Sequence, residues 1–375
     1  MTSTAKRIYP GATIGIIGGG QLGKMLAQSA LRMGYKTAVL DPAEDAPAGA
    51  VCHTFIQADF SDEDALKQLA EVSDVLTYEF ENIDAHILRE LVSDYYVPQG
   101  AETVLTLQNR ESEKNAVKQG GATVVPFENV YHDADIQSFI SEHGYPVIVK
   151  TSTGGYDGKG QYYIDSDETL EDLNIPFQDA DFIVEKYIDL EREVSLTAAR
   201  SAEGQVIIFP LQENLHRNQI LYRTIAPSRL DYTASATEEV HKIMEALHFA
   251  GVFTVEFFID KAGKLYVNEI APRPHNSAHH TIESCNISQF DAHILSIANQ
   301  PMPEVYQHQD AVMMNLLGVD LDRLDDTLFD YPDWHVHLYG KTERKPERKM
   351  GHVTILTDNV EETLKEIKAD FEKES

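Results

Sequence analysis

The feature that most constrains the fold is a glycine motif near the start of the chain, in the segment GIIGGGQLGKM. Gly18, Gly20 and Gly23 have the spacing G-x-G-x-x-G, with an isoleucine-rich run before them and a helical pattern after them. A second apolar run then ends at Asp41. This order predicts a strand, a tight turn, a helix and a second strand, and it matches the fingerprint of dinucleotide-binding domains. Taken alone, the motif favours a nicotinamide or flavin oxidoreductase.

The charge of the chain narrows the range of partners. With 61 acidic and 31 basic residues among 375, the formal net charge is -30. A strongly negative field repels phosphate backbones and anionic lipid surfaces, so we expect small-molecule substrates rather than nucleic acid or a membrane. Cys52 and Cys285 are too few for a disulfide framework, and no apolar run is long enough to cross a bilayer. We therefore expect a cytoplasmic protein.

The hydrophobic pattern changes along the chain. Strand and helix patterns alternate over roughly the first hundred residues, which is typical of an open, mostly parallel sheet. From residue 146 onward the chain is rich in short strands with turn signals such as SAEG and DKAGK, which favour antiparallel pairing. We predict a mixed α/β and α+β chain with a Rossmann-like domain over 1–110, an α+β domain over 111–304 and a small β-rich domain over 305–375.

A second glycine-rich segment, VIVKTSTGGYDGKGQYYI, lies between two predicted strands. Its backbone amides can close over phosphate groups, and Lys150 at the end of the preceding strand adds a cation. The segment is not a P-loop, because Gly160 follows Lys159 where Ser or Thr would be required and because no helix follows. We interpret it as a flap over a nucleotide, the alternative being an ordinary hairpin loop.

Two later strands, FTVEFFID and LYVNEI, are joined by a short turn that contains glycine. Hairpin pairing places Glu256 within about one residue of Asn268 and Glu269 across the ladder. Two carboxylates this close repel each other unless a cation lies between them, and Mg²⁺ prefers carboxylate oxygens together with nucleotide phosphates. We predict a site for magnesium or manganese, the alternative being that one glutamate faces solvent.

Two basic clusters suggest a second, anionic substrate in so acidic a chain. The segment APRPHNSAHH, directly after the second of these strands, carries Arg273, His275, His279 and His280. The segment GKTERKPERKMGH carries Lys341, Arg344, Lys345, Arg348 and Lys349. We predict that the second segment is a phosphate clamp, the alternative for some of its side chains being a solvated turn. For the first segment the alternative is a zinc site, which its spacing and the lack of a cysteine disfavour.

Together these motifs, with EKYIDLEREVS, YEFEN and LQENLHRNQI, resemble the ATP-grasp superfamily and, within it, the 5-(carboxyamino)imidazole ribonucleotide synthetases. The resemblance implies a Rossmann-like pre-ATP-grasp domain, a two-lobed ATP-grasp domain and a small C-terminal domain. It implies a carbon–nitrogen ligase of purine (IMP) biosynthesis that carboxylates 5-aminoimidazole ribonucleotide with ATP and bicarbonate. It also implies a homodimer.

The resemblance further implies which residues form the site. Those implied to contact ATP are Arg110, Lys150, Gly155, Tyr156, Asp157, Gly158, Lys159, Gly160, Gln161, Glu185, Lys186, Tyr187, Ile188, Glu193, His216, Asn268 and Glu269. Those implied to contact the aminoimidazole ribonucleotide are Tyr156, Asp157, Arg273, His275, Arg348 and Lys349, with Lys341 and Glu79 as neighbours. Glu256 and Glu269 would hold the metal. Because a helix N-terminus binds anions, we predict that the amides of Gln21 and Leu22 enclose the phosphate of the ribonucleotide.

The implied chemistry runs through carboxyphosphate. Bicarbonate attacks the γ-phosphorus of ATP while the metal, Lys150 and the glycine loop neutralise charge on the transferring group. Carboxyphosphate is unstable in water, so closure of the loop would exclude solvent. The exocyclic amine of the ribonucleotide captures carboxyphosphate, or carbon dioxide released from it. Asp157 or His275 would take the amine proton, and Arg273 would orient the carboxyl group.

Three other functions are consistent with parts of the sequence. Another ATP-grasp ligase, such as a formate-dependent glycinamide ribonucleotide transformylase or a biotin carboxylase, would share the ATP and metal residues and differ in the acceptor clusters. A nicotinamide oxidoreductase would leave Lys150, Glu256 and Glu269 without a role. A non-catalytic nucleotide sensor would bind ATP without turnover and would not need a complete metal pair.

Overall fold

The computed structural model describes residues 5–80, 82–154, 160–324 and 331–370. Within these ranges seventeen strands form three sheets. The strands are β1 Thr13–Ile17, β2 Lys36–Asp41, β3 Thr54–Gln57, β4 Val75–Tyr78, β5 Phe127–Val130, β6 Val147–Thr151, β7 Gln161–Ile164, β8 Phe182–Lys186, β9 Leu190–Arg200, β10 Val206–Ile208, β11 Gln212–Arg217, β12 Ile220–Ala226, β13 Gly251–Asp260, β14 Leu265–Ala271, β15 Asp310–Leu317, β16 Trp334–Leu338 and β17 Lys349–Thr357. The helices are α1 Gln21–Arg32, α2 Glu63–Glu71, α3 Ala85–Asp94, α4 Glu102–Leu107, α5 Arg110–Gln119, α6 Asp133–His143, α7 Asp167–Asp172, α8 Thr233–Ala246, α9 Thr281–Ser284, α10 Gln289–Ile297, α11 Gly318–Leu324 and α12 Val360–Asp370.

The first sheet has the order β3-β2-β1-β4, and all of its strands are parallel, which confirms the predicted open sheet. The glycine turn joins β1 to α1 and allows helix and strand to pack closely. A Cβ atom at Gly23 would lie 2.3 Å from the carbonyl oxygen of Gly18, so a larger residue would force α1 away from the strand. The third glycine of the motif is therefore required by packing alone.

The second sheet has the order β5-β8-β6-β7, and all of its pairs are antiparallel. β6 and β7 form a hairpin in which Lys150 is paired with Gln161, so the glycine-rich segment does join two strands. Gly154 and Gly160, at the two ends of this loop, have φ angles of 71° and 74°, the left-handed region that favours glycine. The predicted flap residues 155–159 lie outside the described residues.

The third sheet is antiparallel and has the order β14-β13-β9-β11-β12-β15-β17-β16. In addition, β10 pairs with the C-terminal end of β9. The pairing of β12 with β15 joins the strands before residue 304 to those after it. The predicted boundary at 304 therefore divides one continuous sheet. The limits 1–110, 111–304 and 305–375 stay our proposal for the domains.

Helix α10 fixes the first sheet against the rest of the chain. Phe290, Ile294 and Ile297 of this helix belong to the same buried apolar cluster as β1 and α1. Asp291 adds polar contacts, because it accepts a hydrogen bond from the Ser29 hydroxyl at 2.6 Å and pairs with Arg32. The glycine turn is thereby held at a defined place relative to the basic clusters. Among the helices of the described residues, none is both long and apolar enough to span a bilayer.

Candidate active site

The predicted phosphate-binding lysine lies in a buried ion-pair cluster. Lys150 Nζ donates to Glu185 Oε2 at 2.8 Å, and Lys114 Nζ lies 3.2 Å from the other oxygen, Oε1. All three residues are buried. Burial alone would raise the pKa of Glu185, but the charges of Lys114 and Lys150 outweigh it and hold that pKa at about 2. Glu185 is therefore ionised and is placed to orient Lys150, rather than to present its own carboxylate to ATP.

The first turn of α5 connects this cluster to the predicted metal strand. The Arg110 guanidinium lies 3.8 Å from Glu269 on β14, and the buried Glu113 accepts the backbone N–H of Ile270 at 2.7 Å. Burial, together with the neighbouring charge of Glu269, raises the pKa of Glu113 to about 8. Burial and Glu269 therefore both favour the uncharged form of Glu113.

The two glutamates predicted to hold a metal are cross-strand neighbours, as expected from the hairpin. Glu256 on β13 is directly opposite Glu269 on β14, and a bulge follows at Phe257, so that Asn268 is the extra residue. Glu256 is partly buried, whereas half of the Glu269 side chain is exposed. Burial would raise the pKa of Glu256, but its hydrogen bond with His275 and nearby positive charges lower it to about 2.

The donor set fits a divalent cation that shares its ligands with a nucleotide. Two ionised carboxylates at neighbouring cross-strand positions are the usual protein contribution to magnesium bound together with phosphates. Within the described ranges, no group of three His, Cys, Asp or Glu side chains is arranged to hold a metal ion without such help. Phosphate oxygens would therefore have to complete the coordination.

Other predicted ATP contacts surround this region. His216 on β11 pairs with Glu193 on β9, which raises the pKa of His216 although its burial acts in the opposite direction. In the segment 185–188, which the resemblance assigns to ATP, the backbone N–H groups of Lys186 and Tyr187 already donate to the carbonyl groups of Pro126 and Pro146. An adenine ring would therefore form hydrogen bonds with backbone groups of this segment other than these two N–H groups.

His275, which the resemblance assigns to the acceptor, has partners at both ring nitrogens. Its Nε2 atom lies 3.1 Å from Glu256 Oε1, and its Nδ1 atom lies 2.9 Å from the Ser277 hydroxyl. Ser277 is in turn held by Ser195 on β9, at 2.8 Å between the two hydroxyl oxygens. Because both ring nitrogens have partners, the imidazole is fixed in orientation next to the metal pair.

Cations of the two basic segments lie near the same carboxylate, that of Glu79. Lys341 Nζ donates to the Lys349 carbonyl at 2.8 Å. Burial and the charge of Arg348 lower the pKa of Lys341 to about 8, while Glu79 acts in the opposite direction. The charge of Arg273 also lowers the pKa of Glu79, so cations from two distant segments lie near one carboxylate.

Glu79 binds the glycine turn itself. Its Oε1 accepts the N–H of Gly20 at 2.6 Å and its Oε2 accepts the N–H of Gly23 at 2.5 Å. Asp41 accepts the N–H of Gly19 at 2.7 Å. A dinucleotide phosphate on these amides would meet two carboxylates, which explains why the fingerprint does not make this chain an oxidoreductase. The predicted role of Gln21 and Leu22 stays a prediction.

Several residues singled out from the sequence do not face the site. His279 and His280 are fully buried, and burial lowers the pKa of both, so they are neutral core residues rather than anion ligands. Lys345 is mostly exposed and pairs with Glu343 at 3.2 Å. The predicted residues Gly155, Tyr156, Asp157, Gly158 and Lys159 lie outside the described residues.

Two buried residues near the site were not predicted, Glu113 and Lys114. Both are on α5 with Arg110, at the spacings i+3 and i+4 that place side chains on one helical face. This periodicity would have identified the common face. Their partners Glu185 and Ile270 lie far away in the sequence, so the contacts themselves required the fold.

Three sequence families match successive parts of the chain. The ribonucleotide synthetase preATP-grasp domain matches residues 11–108, the ATP-grasp domain residues 115–290, and the phosphoribosylaminoimidazole carboxylase C-terminal domain residues 311–366. These matches and the site geometry define an ATP-grasp enzyme, which confirms the predicted fold class.

Full-length relatives narrow this class. The N5-carboxyaminoimidazole ribonucleotide synthase of Staphylococcus aureus (strain COL) is 54% identical over 363 residues, 96% of this chain and 97% of the relative. The crystal structure of N5-carboxyaminoimidazole synthetase from Staphylococcus aureus complexed with ADP has a TM-score of 0.95 and 53% identity, covering 98% of each chain. The Aspergillus clavatus enzyme in complex with ADP and 5-aminoimidazole ribonucleotide has a TM-score of 0.87 and 29% identity, covering 96% of this chain and 98% of the other. The chain belongs to the N5-carboxyaminoimidazole ribonucleotide synthase family, as its motifs predicted.

Proposed function

We propose that the protein converts 5-aminoimidazole ribonucleotide, bicarbonate and ATP to N5-carboxyaminoimidazole ribonucleotide, ADP and phosphate. The observation that supports this proposal most strongly is that residues predicted to bind the nucleotide and its metal lie near residues predicted to bind the acceptor. Lys349 of the basic segment is near enough to Glu256 for its charge to act on that carboxylate, and His275 contacts Glu256 directly. A phosphorylated acceptor held by the basic segments would therefore lie beside the transferring phosphate.

The proposed reaction has two steps, and different residues act in each. In the first, a bicarbonate oxygen attacks the γ-phosphorus of ATP, giving carboxyphosphate and ADP, while Lys150 and Arg110 stabilise charge on the phosphates. A divalent cation held by Glu256 and Glu269, Mg²⁺ or Mn²⁺, would neutralise further phosphate charge when bound. The buried, already paired Lys150 needs little rearrangement for this task, which is how such groups are most effective.

In the second step the exocyclic amine of the ribonucleotide forms a bond to the carboxyl carbon, and phosphate leaves. Either His275, whose ring contacts Ser277 and Glu256, or Asp157 would accept the amine proton. Arg273 would orient the carboxyl group. The cations Lys341, Arg348 and Lys349 would bind the ribonucleotide, with the Gln21 and Leu22 amides at its phosphate. Carbon dioxide released in place would serve the same step.

The working assembly is also part of the proposal. We propose a cytoplasmic homodimer that acts on small molecules, without a nucleic-acid or membrane partner. The strongly acidic composition, with a net charge of -30, supports the absence of polyanionic partners. Sedimentation of the purified protein at micromolar concentration tests the dimer, and a single monomeric species would contradict it.

Release of ADP distinguishes the proposed reaction from its nearest rivals. Purified protein is supplied with ATP and magnesium, and with either bicarbonate plus 5-aminoimidazole ribonucleotide or formate plus glycinamide ribonucleotide. We expect only the first pair to stimulate ADP release. If the imidazole ribonucleotide has no effect, the proposed function is wrong, and if ATP binds without any turnover, the chain is a sensor.

A further inference from the structure

Two ammonium groups share a single carboxylate beneath the predicted phosphate site. Glu185 is 2% exposed and lies between Lys150 and Lys114, at 2.8 Å and 3.2 Å. Within this trio one positive charge has no matching negative charge. A buried excess charge is costly unless a ligand of opposite charge compensates it, and the phosphates of a nucleotide supply that charge.

The backbone around the trio fixes these side chains in place. The first residue of α5, Arg110, donates its N–H to the carbonyl of Ser152, directly after β6, at 2.8 Å. The Asn109 side chain caps the same helix by accepting the N–H of Ser112. Lys114 therefore projects from a helix whose start is tied to the strand that carries Lys150.

We propose that Lys114 is a positioning residue, which holds Glu185 so that Lys150 is oriented toward the ATP phosphates without being neutralised. Contact with Oε1 prevents the carboxylate from rotating and leaves Oε2 to Lys150. Lys114 also takes a share of the negative charge, so Lys150 keeps part of its attraction for phosphate. The inference rests on the proposed function, because it gives Lys150 its phosphate-binding role.

The effect of Lys114→Met separates this role from a purely structural one. The substitution leaves Lys150 and Glu185 as a matched buried pair, so we expect the apo protein to fold with an unchanged or higher Tm. We expect kcat/KM for ATP to fall about tenfold, the size expected when a buried charge close to the phosphate-binding lysine is lost. The KM for the aminoimidazole ribonucleotide should stay within about twofold, because its cations are elsewhere.

Two further variants sharpen the test. Lys118→Met removes an exposed lysine one turn later on α5 and should leave both KM values unchanged. In the double variant Lys114→Met/Glu185→Gln the amide no longer neutralises Lys150, so the KM for ATP should lie below that of the single variant. If Lys114 had only a structural role, the losses caused by the two substitutions would instead add in the double variant.

Binding of ADP, measured by calorimetry on the same proteins, keeps the test independent of turnover. Absent turnover in the wild type would contradict the proposed function, while a weaker affinity of Lys114→Met for ADP would still support the inference. Wild-type ATP kinetics and ADP affinity in Lys114→Met would overturn the inference. So would a lower Tm with equal losses for both substrates and no recovery in the double variant.

Discussion

Glu79 Oε1 accepts the backbone N–H of Gly20 at 2.6 Å, so a carboxylate from the end of the first sheet occupies the glycine turn that begins α1. A motif usually associated with phosphate binding here binds a side chain of its own chain. The same carboxylate lies within electrostatic reach of Arg273 and Lys341. The turn is thus linked to the predicted acceptor residues, and its substitution has consequences that can be measured.

Replacement of Gly20 by alanine should affect the ribonucleotide more than ATP. The added Cβ would lie 2.7 Å from Glu79 Oε1 and would displace either the carboxylate or the first turn of α1. We expect the KM for the aminoimidazole ribonucleotide to rise roughly fivefold, equivalent to about 1 kcal/mol, with little change for ATP. Steady-state kinetics with each substrate varied in turn measures this. The control is Gly49→Ala, in the connection between β2 and β3 of the same sheet. Equal effects of Gly20→Ala on both KM values would contradict the prediction.

The pH dependence of stability should report Glu79 directly. Burial, opposed by the hydrogen bonds from Gly23 and Gly20, raises the pKa of Glu79 to about 7 from an ordinary value of 4.5. As pH rises, the unfolded chain loses this proton first, so the free energy of unfolding falls between about pH 4.5 and pH 7, by about 3 kcal/mol at most. Urea unfolding of apo Glu79→Gln should show a shallower fall over this window. Glu71→Gln, at an exposed position of α2, should retain the wild-type slope, and an unchanged slope in Glu79→Gln would refute the assignment.

Binding of the ribonucleotide should weaken above about pH 8 because Lys341 loses its proton there. Burial and Arg348 lower the pKa of Lys341 to about 8, so its positive charge is present below this pH and lost above it. The wild-type KM for the ribonucleotide should therefore rise from pH 7 to pH 9, while Lys341→Arg, whose guanidinium stays charged, should give a flat profile. Lys345→Arg, in the same segment but exposed, should behave like the wild type. A flat wild-type profile would show that Lys341 does not contact the ligand.

If Glu256 and Glu269 hold a metal ion, Glu256→Gln should weaken the binding of magnesium. Removing one of the two carboxylates should raise the magnesium concentration needed for half-maximal activity at least about tenfold. Chelation with EDTA should abolish wild-type turnover, and added magnesium or manganese should restore it. Glu191→Gln, exposed on β9, is the matched control. Unchanged magnesium dependence in Glu256→Gln would exclude this residue as a ligand.

Local rules predicted much of the fold and of the nucleotide side. The glycine spacing predicted the β1–α1 turn because it depends on short-range sterics, and the hairpin turn at Gly263 predicted that Glu256 would face Glu269. The pairing of Glu79 with Gly20 joins residues 59 positions apart, and no local pattern contains it. The same limit explains why Lys114 was missed.

In the first basic cluster the structure separates residues that lie close together in the sequence. Sequence composition grouped His279 and His280 with Arg273 and His275 because all four lie within eight residues. In the structure the short helical turn at Asn276–Ala278 directs the last two histidines into the core, while His275 contacts Glu256 and Arg273 lies within electrostatic reach of Glu79. Proximity in sequence therefore did not distinguish ligands from core residues.

The most direct test of the proposed reaction follows the carbon of bicarbonate. The purified protein is incubated with ¹³C-bicarbonate, ATP, magnesium and 5-aminoimidazole ribonucleotide, and the carbamate carbon is followed by NMR while ADP is measured in parallel. We expect a new carbamate signal on the exocyclic amine, with one ADP formed for each carbon incorporated. ADP release without incorporation of the label, or incorporation without consumption of ATP, would contradict the assignment of this chain as an ATP-dependent carboxylating ligase.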